Sequence, residues 1–173
     1  MIALQILDIK KCMSALLVEP AFNDYSLIEA QITTFCTFSI DGRLEKRFFS
    51  DGTGSAKEED AAAPGRVSYV TWNDVREKCL SVIKGRRTPL FFKLVFFYPA
   101  ELLEKFIINA GTPLTPDKVS GLCLNFRFDS TGLIATTGTS ISVFTPDRSL
   151  DHAWDDAVKA MFGRMGIAFS EAT

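Results

Sequence analysis

Residues 90–98, Leu-Phe-Phe-Lys-Leu-Val-Phe-Phe-Tyr, constrain this chain more than any other segment. In a strand, Phe91, Val95 and Phe97 point one way and Phe92, Leu94 and Phe96 the other, so both faces are apolar. Such a strand is covered on both sides or lies at an interface. It therefore demands a sheet around it and a core large enough to hold it. The chain has 173 residues, 15 of them Phe, and is 47% hydrophobic. A chain of that size buries roughly 68–70% of its unfolded surface, enough to house most of those rings. One domain spanning residues 1–173 is expected.

The flanking segments supply the other elements. Residues 1–7 read as a short strand. Asp8 then caps a helix to about Val18, with Ile9, Cys12, Met13, Leu16 and Leu17 on one face. Residues 27–40 alternate without a break, which predicts one long half-buried strand with Ile28, Ala30, Ile32, Cys36, Phe38 and Ile40 on the same face. Asp41-Gly42 predicts a two-residue hairpin, with 43–49 as the return strand. Residues 50–65, rich in Gly and Ala and carrying Glu58, Glu59 and Asp60, predict a flexible acidic loop.

Residues 67–70 predict a short strand. Thr71, with Asp74 three residues on, opens a helix buried through Trp72, Val75, Cys79, Val82 and Ile83. Pro99 opens a third helix with Leu102, Leu103, Phe106 and Ala110 inward and Ile108 off the buried face. Leu122, Leu124, Phe126 and Phe128 line one face of the next strand. Two further strands are expected on either side of Gly138. The last helix starts at Ser149 and buries Leu150, Trp154, Ala157, Val158 and Met161. Hairpin signals outnumber crossovers. The expected class is α+β, with a mainly antiparallel sheet and about four helices. A strand–helix–strand–strand unit starting near Met1 and again near Val67 would give a pseudo-repeat with the topology of a sliding-clamp domain.

Two sets of residues are familiar together. One runs from Ile2 through Thr33-Thr34-Phe35 to Ile40-Asp41-Gly42-Arg43-Leu44. The other joins Lys84-Gly85-Arg86-Arg87-Thr88-Pro89 to Thr136-Thr137-Gly138-Thr139-Ser140 and to Leu150-Asp151-His152-Ala153-Trp154-Asp155. They resemble an uncharacterised family of small proteins from anaerobic Gram-positive bacteria, a domain of unknown function. The resemblance covers nearly the whole chain and implies an intracellular, single-domain bacterial protein. It carries no activity, so it transfers no catalytic residue.

Candidate chemistry is sparse. Cys12, Cys36, Cys79 and Cys123 form no CxxC, so neither a zinc site nor a disulfide is expected, and the four read as buried reduced thiols. Lys84, Arg86 and Arg87, followed by Lys93, contain no acid between them, and paired guanidiniums grip phosphate oxygens bidentately. Lys10 and Lys11 would pool with them if the first two helices lie side by side. His152, the only histidine, precedes Asp155 and Asp156 by one helical turn, the pattern of an acid-tuned general base on an exposed helix side. These three are the weak catalytic candidates. Phe91, Phe92, Phe96, Phe97 and Tyr98 are able to stack on single-stranded bases, although a core strand accounts for them better.

No gly-rich phosphate cradle and no nucleophile elbow are present. No cofactor or metal is expected. The net charge of −2 excludes a wholly basic nucleic-acid binder and leaves local patches open. No secretory signal and no membrane span are expected, which implies a cytoplasmic protein. The leading expectation is a non-catalytic interaction module, with self-association through the apolar strand and through Ile108. The alternatives are a nucleic-acid- or phosphate-binding protein using Lys84, Arg86 and Arg87, and a small enzyme using His152 with Asp155 or Asp156.

Overall fold

The computed structural model describes residues 1–49 and 68–171. The elements run β1 (Ala3–Ile6), α1 (Ile9–Leu17), a 3-10 turn (Pro20–Phe22), β2 (Ser26–Thr33), β3 (Thr37–Asp41), a second 3-10 turn (Lys46–Phe49), α2 (Trp72–Ile83), β4 (Phe91–Phe97), α3 (Ala100–Asn109), a third 3-10 turn (Pro116–Lys118), β5 (Val119–Asp129), β6 (Gly132–Ile141), α4 (Ser149–Arg164) and β7 (Phe169–Glu171). Among the described residues these make four α-helices and a seven-stranded sheet in the order β3-β2-β4-β5-β6-β1-β7. Every pairing is antiparallel, so the α+β class holds. The acidic stretch 50–65 lies outside the described residues.

β4 lies inside the sheet, as its two apolar faces require. Phe92, Leu94 and Phe96 are buried in the core, while Phe91, Lys93, Val95 and Phe97 alternate with them on the other, half-buried face. The core is aromatic. Trp72 of α2 meets Phe96 edge-on at 5.0 Å, and Phe162 of α4 lies 6.1 Å from Phe126. Trp154 packs on Tyr98 at 5.3 Å and on Phe106 of α3 at 5.7 Å. The indole of Trp72 donates to the Leu16 carbonyl at 2.7 Å, locking α2 onto the end of α1. Trp154 likewise donates to the Cys123 carbonyl at 2.8 Å.

The helix starts follow local chemistry. The Asp8 carboxylate accepts from the Lys11 amide at 2.9 Å and caps α1. At α2, Thr71 donates its hydroxyl to Asp74 at 2.7 Å instead of capping the backbone. α3 buries Leu103 and Ile107 and leaves Leu102 and Ile108 exposed. The expected inward Leu102 is thus corrected: apolar residues at 102, 103, 106, 107 and 108 cover most of the helix circumference, so spacing alone does not fix its rotation.

The region 27–49 departs most from expectation. It is a hairpin turning at Thr34–Cys36, with Thr33 opposite Thr37 and Ile32 opposite Phe38. The positions of each pair sum to an even number, so residues facing each other have the same parity. Alternation then runs through the turn without a break, and a hairpin of this register imitates one long strand. Asp41-Gly42 is no hairpin turn. Gly42 donates to Ile28 at 2.9 Å, Arg43 bridges Tyr69, and residues 46–49 form the 3-10 turn. A bulge between Leu27 and Glu29 also moves Leu27, rather than Ile28, into the core.

Two smaller corrections follow. β6 passes Gly138 as one strand, with Gly138 opposite Cys123, and the bulge lies at Val119/Gly121 instead. Residues 68–71 give two isolated bridges, Arg43–Tyr69 and Ser26–Thr71, not a strand. β1 pairs with β6 and β7, far from β2, so the strand pairing offers no support for a repeated unit or a clamp-like arrangement.

Candidate binding surface at residues 84–88

Lys84 ends α2, its amide bonded to Leu80 at 2.7 Å. Residues 85–88 then bend toward β4, and Leu90 donates to Thr33 at 2.9 Å, which ties the turn to the tip of the β2–β3 hairpin. Lys84, Arg86, Arg87 and Thr88 are all exposed. The turn separates two hollows. One, of about 590 Å³, opens toward the hairpin tip and is walled by Phe35, Phe38, Val82 and Leu90 together with the hydroxyl-bearing Thr34, Ser81 and Thr88. The other, of about 440 Å³, opens toward α1 and is floored by Ile9, Met13, Leu17, Ile83, Phe92 and Phe128. Lys84, Gly85, Arg86, Arg87 and Thr88 line both.

No Asp or Glu lines either hollow among the described residues. Lys10 joins the second, so α1 and α2 do bring their cations together. Lys11 does not contribute. Its ammonium lies 3.3 Å from Glu19, whose carboxyl is held below its ordinary value by the Ser14 hydroxyl first and by Lys11 second. Lys93 is likewise taken, 3.0 Å from Glu29 on the sheet's other face. Among the described residues, Lys10, Lys84, Arg86 and Arg87 form no ion pair. The last carbonyls of α2 carry partial negative charge, so attraction for an anion here comes from the side chains and not from the helix.

Nothing in the sequence spacing predicts the aromatic wall. Phe35 and Phe38 fall on the hairpin tip, where Phe35 is 92% exposed and meets the Phe38 edge at 5.9 Å. The stacking candidates of β4 are not available in the same way: Phe92 and Phe96 are buried, and Phe91 is half-buried, with the Arg127 guanidinium 5.9 Å from its ring centre. The hydroxyl of Thr34 is buried and has no hydrogen-bond partner. Cys36, expected to be buried, is exposed at the same tip, while Cys12 and Cys79 are buried and Cys123 half-buried.

At the α4 candidate the expected grouping does not form. His152 and Asp156 are exposed, but Asp155 is 5% exposed and turned inward. Asp155 accepts from the Thr137 hydroxyl and from the Met1 ammonium, the latter at 2.9 Å. Asp155 lies only about 60° around the helix from His152, at the edge of the packed side where β6 and the N-terminus cover it while His152 stays exposed. Thr139 donates to Asp151 at 2.5 Å, so the hydroxyls of Thr137 and Thr139 fasten α4 to β6. Among the described residues no cluster of His, Cys, Asp or Glu is arranged to hold a metal ion. Among the described residues no helix is long and apolar enough to cross a membrane.

No curated protein and no solved structure matches this chain. The resemblance carried by the two sets of residues does hold at the level of the family. Residues 15–170 match the family of unknown function DUF5721, a span that includes the basic turn, the walls of the larger hollow and α4, and this chain belongs to that family.

Proposed function

We propose that the protein is a non-catalytic binding module whose contact surface is the turn 84–88 and whose ligand carries phosphate. The observation that carries this reading is the gathering of Lys10, Lys84, Arg86 and Arg87 around two hollows with no described acid among the lining residues. Two adjacent guanidiniums offer fork-shaped donor pairs that match phosphate oxygens, and an ammonium on each side adds charge without demanding a fixed geometry. The reading takes the protein as a bacterial cytoplasmic one, which its free thiols support. The non-catalytic part is supported by the burial of Asp155 against Thr137 and the Met1 ammonium while His152 is exposed.

A titration with duplex and single-stranded DNA at low and moderate salt tests it, repeated on an Arg86→Ala, Arg87→Ala double variant. Affinity should fall with salt by a log–log slope of about −0.9 per phosphate neutralised on duplex and about −0.7 on single strands. No binding at low salt, or binding that the double change leaves untouched, overturns the reading. A second copy of this chain is the other partner that an observation favours. Leu102 and Ile108 of α3 are 47% and 65% exposed, and light scattering across micromolar concentrations should then show a mass above that of one chain.

A further inference from the structure

Resting on the phosphate-binding reading of the turn, we infer that the ligand is a single-stranded nucleic acid, with Phe35 as the platform on which a base stacks. Three features meet at this place. Phe35 is 92% exposed, so most of its ring is open to a ligand, and its T-shaped contact with Phe38 at 5.9 Å steadies the ring. It shares the larger hollow with Lys84, Arg86 and Arg87. The Thr34 hydroxyl at the wall of that hollow is buried and has no partner within the protein, and a small shift of the hairpin tip on binding would let a ligand satisfy it.

The layout selects among anions. Apolar hollow, cationic turn and second apolar hollow follow one another, and the same residues 84–88 wall both hollows. A polymer whose charged phosphates alternate with flat apolar rings fits that order: the backbone crosses the Arg86–Arg87 turn and a base lies to each side. A single-headed amphiphile fills one hollow and leaves the other empty. An acidic peptide brings charge with no ring for Phe35. A duplex keeps its bases stacked on one another and presents only phosphates.

The test uses fluorescence anisotropy on the full chain with an oligo-dT of about 12 nucleotides, within the site size typical of single-strand binders, and with a duplex of the same length. The wild type should bind the oligo-dT more tightly than the duplex. Phe35→Ala should weaken oligo-dT binding by about 5- to 150-fold, the range for loss of one stacked base, and leave both the salt slope and duplex binding as they were. Phe35→Trp should restore affinity, which a merely structural role for the ring would not produce. Because Phe35 packs so little, an unchanged circular dichroism spectrum is expected for both variants.

Equal affinity for the two DNA forms, or a Phe35→Ala protein that binds oligo-dT like the wild type, overturns the inference. If the Arg86→Ala, Arg87→Ala protein is then weakened on both forms, the turn still binds phosphate and only the stacking is wrong. If that double variant also binds like the wild type, the phosphate reading fails with it.

Discussion

Replacing Gly42 by alanine should be among the most damaging single-methyl changes in this chain. Gly42 does not have positive φ, so no special backbone conformation requires glycine there. Space does. A Cβ on Gly42 would lie 1.7 Å from the Leu27 carbonyl oxygen, 2.6 Å from its carbon and 3.1 Å from the Ile28 oxygen. All three atoms are backbone, and no side-chain rotation relieves the clash. The chain at 42 must pull away from β2, which strains or breaks three hydrogen bonds: Gly42 to Ile28 at 2.9 Å, Val70 to Gly42 at 2.8 Å and Leu27 to Val70 at 2.9 Å.

At about 1 kcal/mol net per bond, the loss is about 3 kcal/mol, against a total of about 5–15 kcal/mol for a domain. Thermal unfolding should shift by about 6–12 °C at the 2–4 °C per kcal/mol expected for this chain length. Gly42→Asn should be at least as costly. Gly111→Asn is the control, because Gly111 has φ +62° and nothing within 4 Å, a site where asparagine is tolerated. A Gly42→Asn protein that melts with the wild type would refute the reasoning. It would show that Asp41-Gly42 is an ordinary turn and that residue 42 does not abut Leu27.

Other outcomes follow from the same packing. Iodoacetamide at pH 8 should modify Cys36 quickly and the other three thiols slowly, because burial pushes Cys12 up to about 12 (with Asp8 adding to it) and Cys79 and Cys123 each up to about 11. Those values exceed the ordinary 9.0, so above pH 9 the unfolded chain sheds protons that the folded chain keeps. Stability measured by urea titration should therefore fall as pH rises from 9 toward 11, by about 1 kcal/mol per thiol at pH 10. Arg76→Ala should cost about 1.5–3 kcal/mol in the same assay, since Arg76 donates to the Glu19 carbonyl and to Asn23, both at 2.8 Å. It should not change the salt slope for DNA. Asp155→Ala should cost about 1–3 kcal/mol by removing the acceptor of the Thr137 hydroxyl.

The elements that sequence revealed are those with one face buried and a clear start. α1 is an example: Asp8 caps it and Cys12, Leu16 and Leu17 are buried as their spacing requires. β4 is another, because two apolar faces admit few places other than the middle of a sheet. Parity hid the β2–β3 hairpin, since a turn of odd length preserves alternation. That concealment also hid the aromatic wall, for Phe35 in an unbroken strand has no reason to stand beside Arg86. Asp41-Gly42 reads in sequence as a turn former, whereas Gly42 is required as a point of close approach to Leu27. Asp155 and His152 are near in sequence, and only the rotation of α4 against β6 separates their roles. The cationic turn was legible because its residues are contiguous. Lys10 is also expected there if α1 and α2 lie side by side, as they do, but the aromatic wall was not legible, because Phe35 comes from a separated segment whose turn the alternation conceals.

The central claim, that the ligand is held at the turn 84–88, is tested most directly by a residue-resolved amide NMR titration of the full chain with oligo-dT at low salt. Shift changes should concentrate at residues 81–88, at the hairpin tip 34–38 and along α1 around Lys10, and should reverse when salt is raised. Changes centred on α4 near His152 and Asp156, with the turn silent, would contradict it.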